Sequence, residues 1–153
     1  LRWYLVQIVA TNKKIRDYEI LETYEAGIEL KGTEVKSLRE RNVSFKDAFC
    51  RVRDNEIYML NLHISPYKFA NRFNHDPERP RKLLLHKREI KRLIGKLTTT
   101  GLTLIPTKIY FNDHGLAKVE IALVRGKKRY DKREEIKRKE INRKIKTYLK
   151  YGE

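Results

Sequence analysis

Beyond Val124 the chain stops alternating and turns basic, and that change limits what can fold. The stretch reads Val124-Arg125-Gly126-Lys127-Lys128-Arg129-Tyr130-Asp131-Lys132-Arg133, then Ile136-Lys137-Arg138-Lys139, and on to Lys144-Ile145-Lys146. With so few apolar side chains it cannot bury enough surface to offset the entropy of ordering it as a core element. The core must come from the residues before it, and the basic run reads as an arm for a polyanion. The whole chain agrees: 36 Lys and Arg stand against 20 Asp and Glu, a net charge of +16. Such a charge repels itself in a compact monomer unless a polyanion is the usual neighbour. At 153 residues the chain suits one domain and a tail, divided as 1–124 and 125–153.

Short apolar segments separated by turn chemistry fill the first part. Tyr18 to Tyr24 and Gly27 to Gly32 read as extended segments joined by a Tyr24-Glu25-Ala26-Gly27 turn, and Thr33 to Arg39 as a short helix. Ala48 to Val52 and Ile57 to Leu62 flank Arg53-Asp54-Asn55-Glu56, a hairpin signal because Asp and Asn tolerate left-handed backbone. A polar loop from Asn71 to Arg81 precedes Leu83 to Leu97, whose spacing predicts a helix. Leu102 to Phe111 and Lys118 to Val124 predict two more strands, joined at Asn112-Asp113-His114-Gly115. In the last strand Val119, Ile121 and Leu123 share the core face, with Lys118, Glu120 and Ala122 pointing away. About six short strands at this turn spacing predict an all-β fold. The expectation is a small antiparallel barrel with two or three flanking short helices and a basic C-terminal tail. In that tail Ile136, Ile141, Ile145 and Leu149 form a thin apolar stripe, marginal as an isolated helix.

Enzyme chemistry finds little support. Cys50, the one cysteine, lies in an apolar strand, forms no internal disulfide and fits a reducing compartment. Cys50, His63, His75, His86 and His114 lack metal-ligand spacing, so no metal and no cofactor are expected. His75-Asp76 in a Pro-containing loop reads as turn formation before acid–base work. Leu1 to Ala10 falls short of the roughly 20 apolar residues of a membrane span and lacks a secretion signal's cleavage site, so no membrane and a cytoplasmic setting are expected. Basic side chains at strand ends and loops are the stronger signal: Asn12-Lys13-Lys14, Lys31, Lys36, Arg39, Arg79, Arg81 and Lys82. Tyrosines near them can stack on unpaired bases, which a folded RNA offers more readily than duplex DNA. Glu25 stands out, since a carboxylate repels phosphate; a turn residue or salt bridge and an acceptor for base or Arg donors are equally good readings.

Four blocks in order carry a family resemblance: Tyr24-Glu25-Ala26-Gly27; Gly32-Thr33-Glu34-Val35-Lys36-Ser37-Leu38-Arg39; Asp76-Pro77 with Arg81-Lys82-Leu83-Leu84-Leu85; and Gly126-Lys127-Lys128 with Asp131-Lys132-Arg133. The chain resembles the small protein B (SmpB) family, bacterial partners of transfer-messenger RNA (tmRNA) in trans-translation, from about Ile8 to the mid-tail. The resemblance implies an oligonucleotide-binding-like barrel that is not an enzyme. It implies binding to the tRNA-like domain of tmRNA, delivery to stalled ribosomes, and action as a monomer when bound. RNA-contacting candidates are then Asn12, Lys13, Glu25, Lys36, Arg39, Lys82, Leu84 and Lys118. The tail, disordered when free and helix-forming on the ribosome, would probe the decoding centre and empty mRNA channel. Its candidates are Lys127, Lys128, Tyr130, Asp131, Lys132, Arg133, Ile136, Lys137 and Arg138. The chain runs shorter than the family pattern between Asn12 and Tyr18, and Leu1 to Gln7 is unlike the usual short polar leader.

Two further readings remain beside a ribosome-rescue adaptor. One is a ribosomal or tRNA-binding protein without a rescue role. The other is a nuclease built on His75 and a carboxylate.

Overall fold

The structure, a computed structural model, describes residues 6–70, 73–126 and 132–151, with side chains in the last stretch described from Arg138 to Lys150. The strands are β1 (Gln7–Thr11), β2 (Tyr18–Ile28), β3 (Val43–Ser44), β4 (Phe49–Arg53), β5 (Glu56–Leu60), β6 (His63–Ile64), β7 (Arg81–Leu84), β8 (Leu102–Phe111) and β9 (Ala117–Gly126). The helices are α1 (Gly32–Arg39), α2 (Lys87–Leu97) and α3 (Lys132–Tyr151), and a single 3-10 turn spans Lys13–Asp17.

Seven strands pair in the order β1-β8-β4-β5-β7-β2-β9, and β9 pairs back onto β8. The six strands from β8 round to β9 therefore close into an antiparallel barrel, with β1 added at the edge of β8; β3 and β6 pair separately. Closure removes the unpaired edges that an open sheet of this size would expose. Val119, Ile121 and Leu123 face the core beside Ile57, Met59, Leu83, Leu93, Leu104 and Ile109. Cys50 packs there too, and burial pushes its thiol well above its ordinary pKa.

The local chemistry explains the turns. Asp54 and Asn55 both take positive φ, 50° and 59°, the geometry that a two-residue hairpin turn demands. At the β8–β9 turn Asn112 Oδ1 accepts from the amides of His114 (3.0 Å) and Leu116 (2.9 Å), and Gly115 supplies φ 76°. Pro106 can occupy β8 because a bulge falls between it and Lys108. Asn12 meets that bulge: its amide N donates to Thr107 O at 2.7 Å and its Nδ2 to Pro106 O at 2.8 Å.

Four sequence expectations are corrected. Tyr24 to Gly27 is not a turn but the second half of β2, because Thr23 to Gly27 pair continuously with Ala122 to Lys118 of β9. Leu83 to Leu97 is not one helix. Leu83 pairs with Ile28 and Ile57 as a strand residue, and α2 starts only at Lys87, where Glu89 Oε1 accepts the His86 amide at 3.1 Å. Ala122 does not face solvent: with Ile105 and Val124 it forms a second buried cluster, against Ile15, Tyr18 and Phe49. The described strands number nine rather than six: two expected segments merge into β2, and the additions are β1, β7 and the two-residue pair β3 and β6.

Helix α3 lies outside that second cluster. Ile145 is buried at 3 % exposure, the Tyr148 hydroxyl donates to Glu78 O at 2.9 Å, and the Arg138 guanidinium stands 5.9 Å from the Tyr18 ring centre. Ile141 and Leu149 are half-buried. The barrel thus supplies the apolar partner that the thin stripe lacks by itself.

Candidate nucleic-acid interface

One row of residues crosses β7, β2, β9 and β8. Leu84 pairs with Gly27, Gly27 with Lys118, and Lys118 with Tyr110. Directly opposed residues share a face, and alternation puts Leu83 inward and Leu84 outward, 48 % exposed. Gly27 makes room for that leucine. A Cβ built on Gly27 would meet Leu84 Cβ at 3.2 Å, so a larger residue would need Leu84 to give way by a few tenths of an ångström. Lys82 and Glu25, two residues from Leu84 and Gly27, lie on the same face.

These residues line a groove of about 470 Å³, closed on one side by His86, Lys87, Glu89 and Ile90 from the start of α2. Lys82 Nζ lies 3.8 Å from Glu56 Oε1. The hydroxyl of Tyr110 donates to Glu25, and Tyr110 is only 1 % exposed. Burial first, then the neighbouring Glu25 carboxylate, raises the Tyr110 pKa, so it stays a donor and fixes the carboxylate in place. The groove offers an apolar contact, lysine cations for phosphate and a held carboxylate acceptor. That set suits a folded RNA surface, where sugar and base edges lie beside phosphates.

The structure brings Glu25, Lys82, Leu84 and Lys118 together and places the other candidates elsewhere. Asn12 is 6 % exposed, its Nδ2 bound to Pro106 O and its Oδ1 accepting the Lys14 amide at 3.1 Å. Lys13 is exposed beside it, in the 3-10 turn. Lys36 and Arg39 sit on exposed positions of α1, and the Arg39 guanidinium stands 4.6 Å from the Phe111 ring centre. Lys127, Lys128, Tyr130 and Asp131 lie outside the described residues; Lys132, Arg133, Ile136 and Lys137 fall in the first turns of α3.

Two other readings change. Arg81 is not presented to solvent, and Arg79 only in part. Arg81 is fully buried, its Nε 2.5 Å from Glu34 Oε2, and Arg79 Nη2 lies 2.6 Å from Glu34 Oε1. The remaining Arg81 donors go to Leu62 O at 2.7 Å and Pro77 O at 3.0 Å. His75 is neither a turn residue nor positioned for acid–base work. At 4 % exposure its Nε2 meets Ile64 O at 2.8 Å and its Nδ1 meets Thr33 Oγ1 at 2.8 Å. A carbonyl only accepts, so Nε2 donates and Nδ1 receives the hydroxyl hydrogen. Among the described residues no three His, Cys, Asp or Glu side chains gather as a metal site, and no helix is long and apolar enough to cross a membrane.

Sequence reasoning missed Gly27 and Lys87 as parts of the groove, and Tyr110 as the residue that holds Glu25. Reading Leu83 to Leu85 as a strand would have exposed the alternation that carries Lys82 and Leu84 outward.

Comparisons with known proteins cover nearly the whole chain. The sequence profile of the SmpB protein family matches residues 9–151. The SsrA-binding protein of Pseudothermotoga lettingae is 99 % identical over 148 residues, covering 97 % of this chain and 100 % of that protein. The SsrA-binding protein of Thermosipho africanus is 66 % identical, covering 95 % of this chain and 98 % of its own. A solved structure described as "tmRNA-SmpB: a journey to the center of the bacterial ribosome" is 58 % identical at a TM-score of 0.67, covering 80 % of this chain and 87 % of its own. With the profile spanning nearly its whole length and relatives this similar, the chain belongs to the SmpB protein family.

Proposed function

We propose that this chain is a tmRNA-binding adaptor of trans-translation. It holds the tRNA-like domain of tmRNA and carries it to stalled ribosomes, acting as a binding protein and not as an enzyme. The observation that carries the reading is the row Leu84–Gly27–Lys118 with Glu25 held beside it, in a chain whose relatives are named SsrA-binding proteins. Lys118 and Lys82 meet phosphates, Leu84 packs on an apolar sugar or base face, and Glu25 accepts from a base or 2′-hydroxyl donor. Asn12, tied into the β8 bulge, positions the turn that presents Lys13. Lys36 and Arg39 extend the basic surface along α1.

Residues 125–153 form a second unit with a separate task. Lys127, Lys128, Tyr130, Asp131, Lys132, Arg133, Ile136, Lys137 and Arg138 meet the decoding region and mRNA channel as a helix freed from the barrel. Among the described residues, Ile145, Tyr148 and Arg138 tie α3 to the barrel.

The test is to identify the cellular RNA that co-purifies with the full chain at moderate salt. Transfer-messenger RNA is expected; tRNA or ribosomal RNA in its place would favour a binder without a rescue role. Lys118→Ala should weaken binding of the isolated tRNA-like domain. Its salt dependence, log K against log salt, should become shallower by about one, the signature of one lost phosphate contact. An unchanged slope would remove Lys118 from the interface.

A further inference from the structure

The loop between β6 and β7 exposes two phenylalanines that neither the groove nor the tail uses. Phe69 is 66 % exposed and Phe73 is 86 % exposed. A pair of bare aromatic rings on one loop points to an interaction surface, since a partner that covers such rings removes apolar area from water.

The loop is built to hold them. Asn74 clamps Tyr67 at both ends of its peptide: the Tyr67 amide donates to Asn74 Oδ1 at 3.0 Å, and Asn74 Nδ2 donates to Tyr67 O at 2.9 Å. The Ala70 amide also donates to Tyr67 O, at 3.1 Å. Next to Asn74, His75 is buried and tied to Thr33 of α1 and to Ile64 of β6. The base of the loop is thus fixed to the barrel while its rings face outward.

Its electrostatics select the partner. From Ser65 to His75 the sequence holds no Asp or Glu. Lys68 Nζ lies 5.0 Å from the Phe69 ring centre, Lys36 Nζ lies 5.5 Å from that of Tyr67, and the Tyr67 and Phe69 rings meet edge-on at 5.6 Å. Exposed rings interleaved with cations form the surface that single-stranded nucleic acid prefers, bases stacking while phosphates meet lysines. A neutral or basic protein partner gains nothing from those cations, and the chain's charge of +16 disfavours a second copy.

Helix α1 links this loop to the groove. Lys36 reaches Tyr67, and one turn later Arg39 lies over Phe111, which pairs with Ala117 beside Lys118. We propose that Phe69 and Phe73, with Lys36 and Lys68, form a second RNA contact that stacks unpaired bases. It goes beyond the groove and tail assigned above.

The test uses the full chain and a labelled single-stranded oligoadenylate, with affinity read by fluorescence anisotropy. The Phe69→Ala/Phe73→Ala double variant should bind about fivefold or more weakly, the loss expected for at least one base–aromatic stack. The Phe69→Trp/Phe73→Trp variant should retain affinity. Both rings are exposed, so melting temperature should stay close to that of the parent chain. Unchanged oligoadenylate affinity in the alanine variant overturns the proposal. So does an oligomer in sedimentation velocity that this variant dissolves without changing RNA affinity, which would make the loop an interface between copies. Binding of the tRNA-like domain, measured in parallel, separates the two readings. If the parent chain does not hold that RNA, the adaptor reading fails while the oligoadenylate result still decides the loop.

Discussion

Cut after Gly126, the chain is expected to keep its grip on the isolated tRNA-like domain and to lose all tagging of truncated products on stalled ribosomes. The groove is complete without the tail: Glu25, Lys82, Leu84 and Lys118 come from β2, β7 and β9, and its wall from the start of α2. Removing α3 takes away Ile145 as a buried apolar side chain, about 1.5–3 kcal/mol, together with the half-buried Ile141 and Leu149. The barrel should therefore still melt cooperatively, a few degrees lower. Binding by filter retention and tagging in a reconstituted translation mixture would read the two outcomes separately. Tagging that survives the cut overturns the task assigned to residues 125–153; binding lost with the tail overturns the separation of the two surfaces.

Glu34→Ala is expected to cost about 3–5 kcal/mol of stability, the range for removing one partner of a buried ion pair. Glu34 and Arg81 are both fully buried, and Arg79 adds bonds to the same carboxylate. Without Glu34, the Arg81 guanidinium keeps its carbonyl partners but loses its counter-charge inside the protein. Roughly 10 °C of melting temperature should go with it. Glu34→Gln separates charge from shape, retaining an acceptor for the Lys31 amide, now 2.7 Å away.

The same site predicts a pH dependence. Burial alone raises the Glu34 pKa, but the Arg79 hydrogen bonds, the Lys31 amide and the Arg81 charge outweigh it and leave it lowered. A lowered folded-state pKa means that the stabilisation is whole above the ordinary carboxylate range and disappears as pH falls through the lowered value. The gap between the parent chain and Glu34→Gln should be constant near neutrality and shrink in acid, below about pH 4. A gap that stays constant into strong acid would show that Glu34 carries no such linkage.

How much of this was legible depended on where the signal lay. Asp54-Asn55, the β8–β9 turn and the alternating residues of β9 were readable because turn chemistry and a two-residue period are local. The β2 strand was not, because Glu25, Ala26 and Gly27 look like a turn until β9, distant in sequence, pairs with them. Leu83 to Leu97 carries a helical spacing that barrel pairing overrides over its first two residues, Leu83 and Leu84. Arg79 and Arg81 read as surface charges, since arginine is rarely buried without a partner, and their partner Glu34 lies far upstream. Leu84 and Lys118 were named through the family likeness, while Glu25 stood out as a carboxylate in a basic chain; Tyr110 had no local signal, because its role rests on register across two strands. The exposed Phe73 was hidden inside what read as a polar loop, and Phe69 stood just before it.

The barrel closes on its last strand, and that fixes when the molecule becomes competent during its own synthesis. Tyr18 must wait for Gly126, and Gly27 for Lys118, before β2 finds its second neighbour. Until then β2 carries an open edge, and pairing across so long an interval is slow to form. Lys118 itself sits in that final strand. A nascent chain short of β9 therefore lacks Lys118 and has no finished groove. The order of the strands works as a timer, withholding the proposed RNA site until β9 has been made.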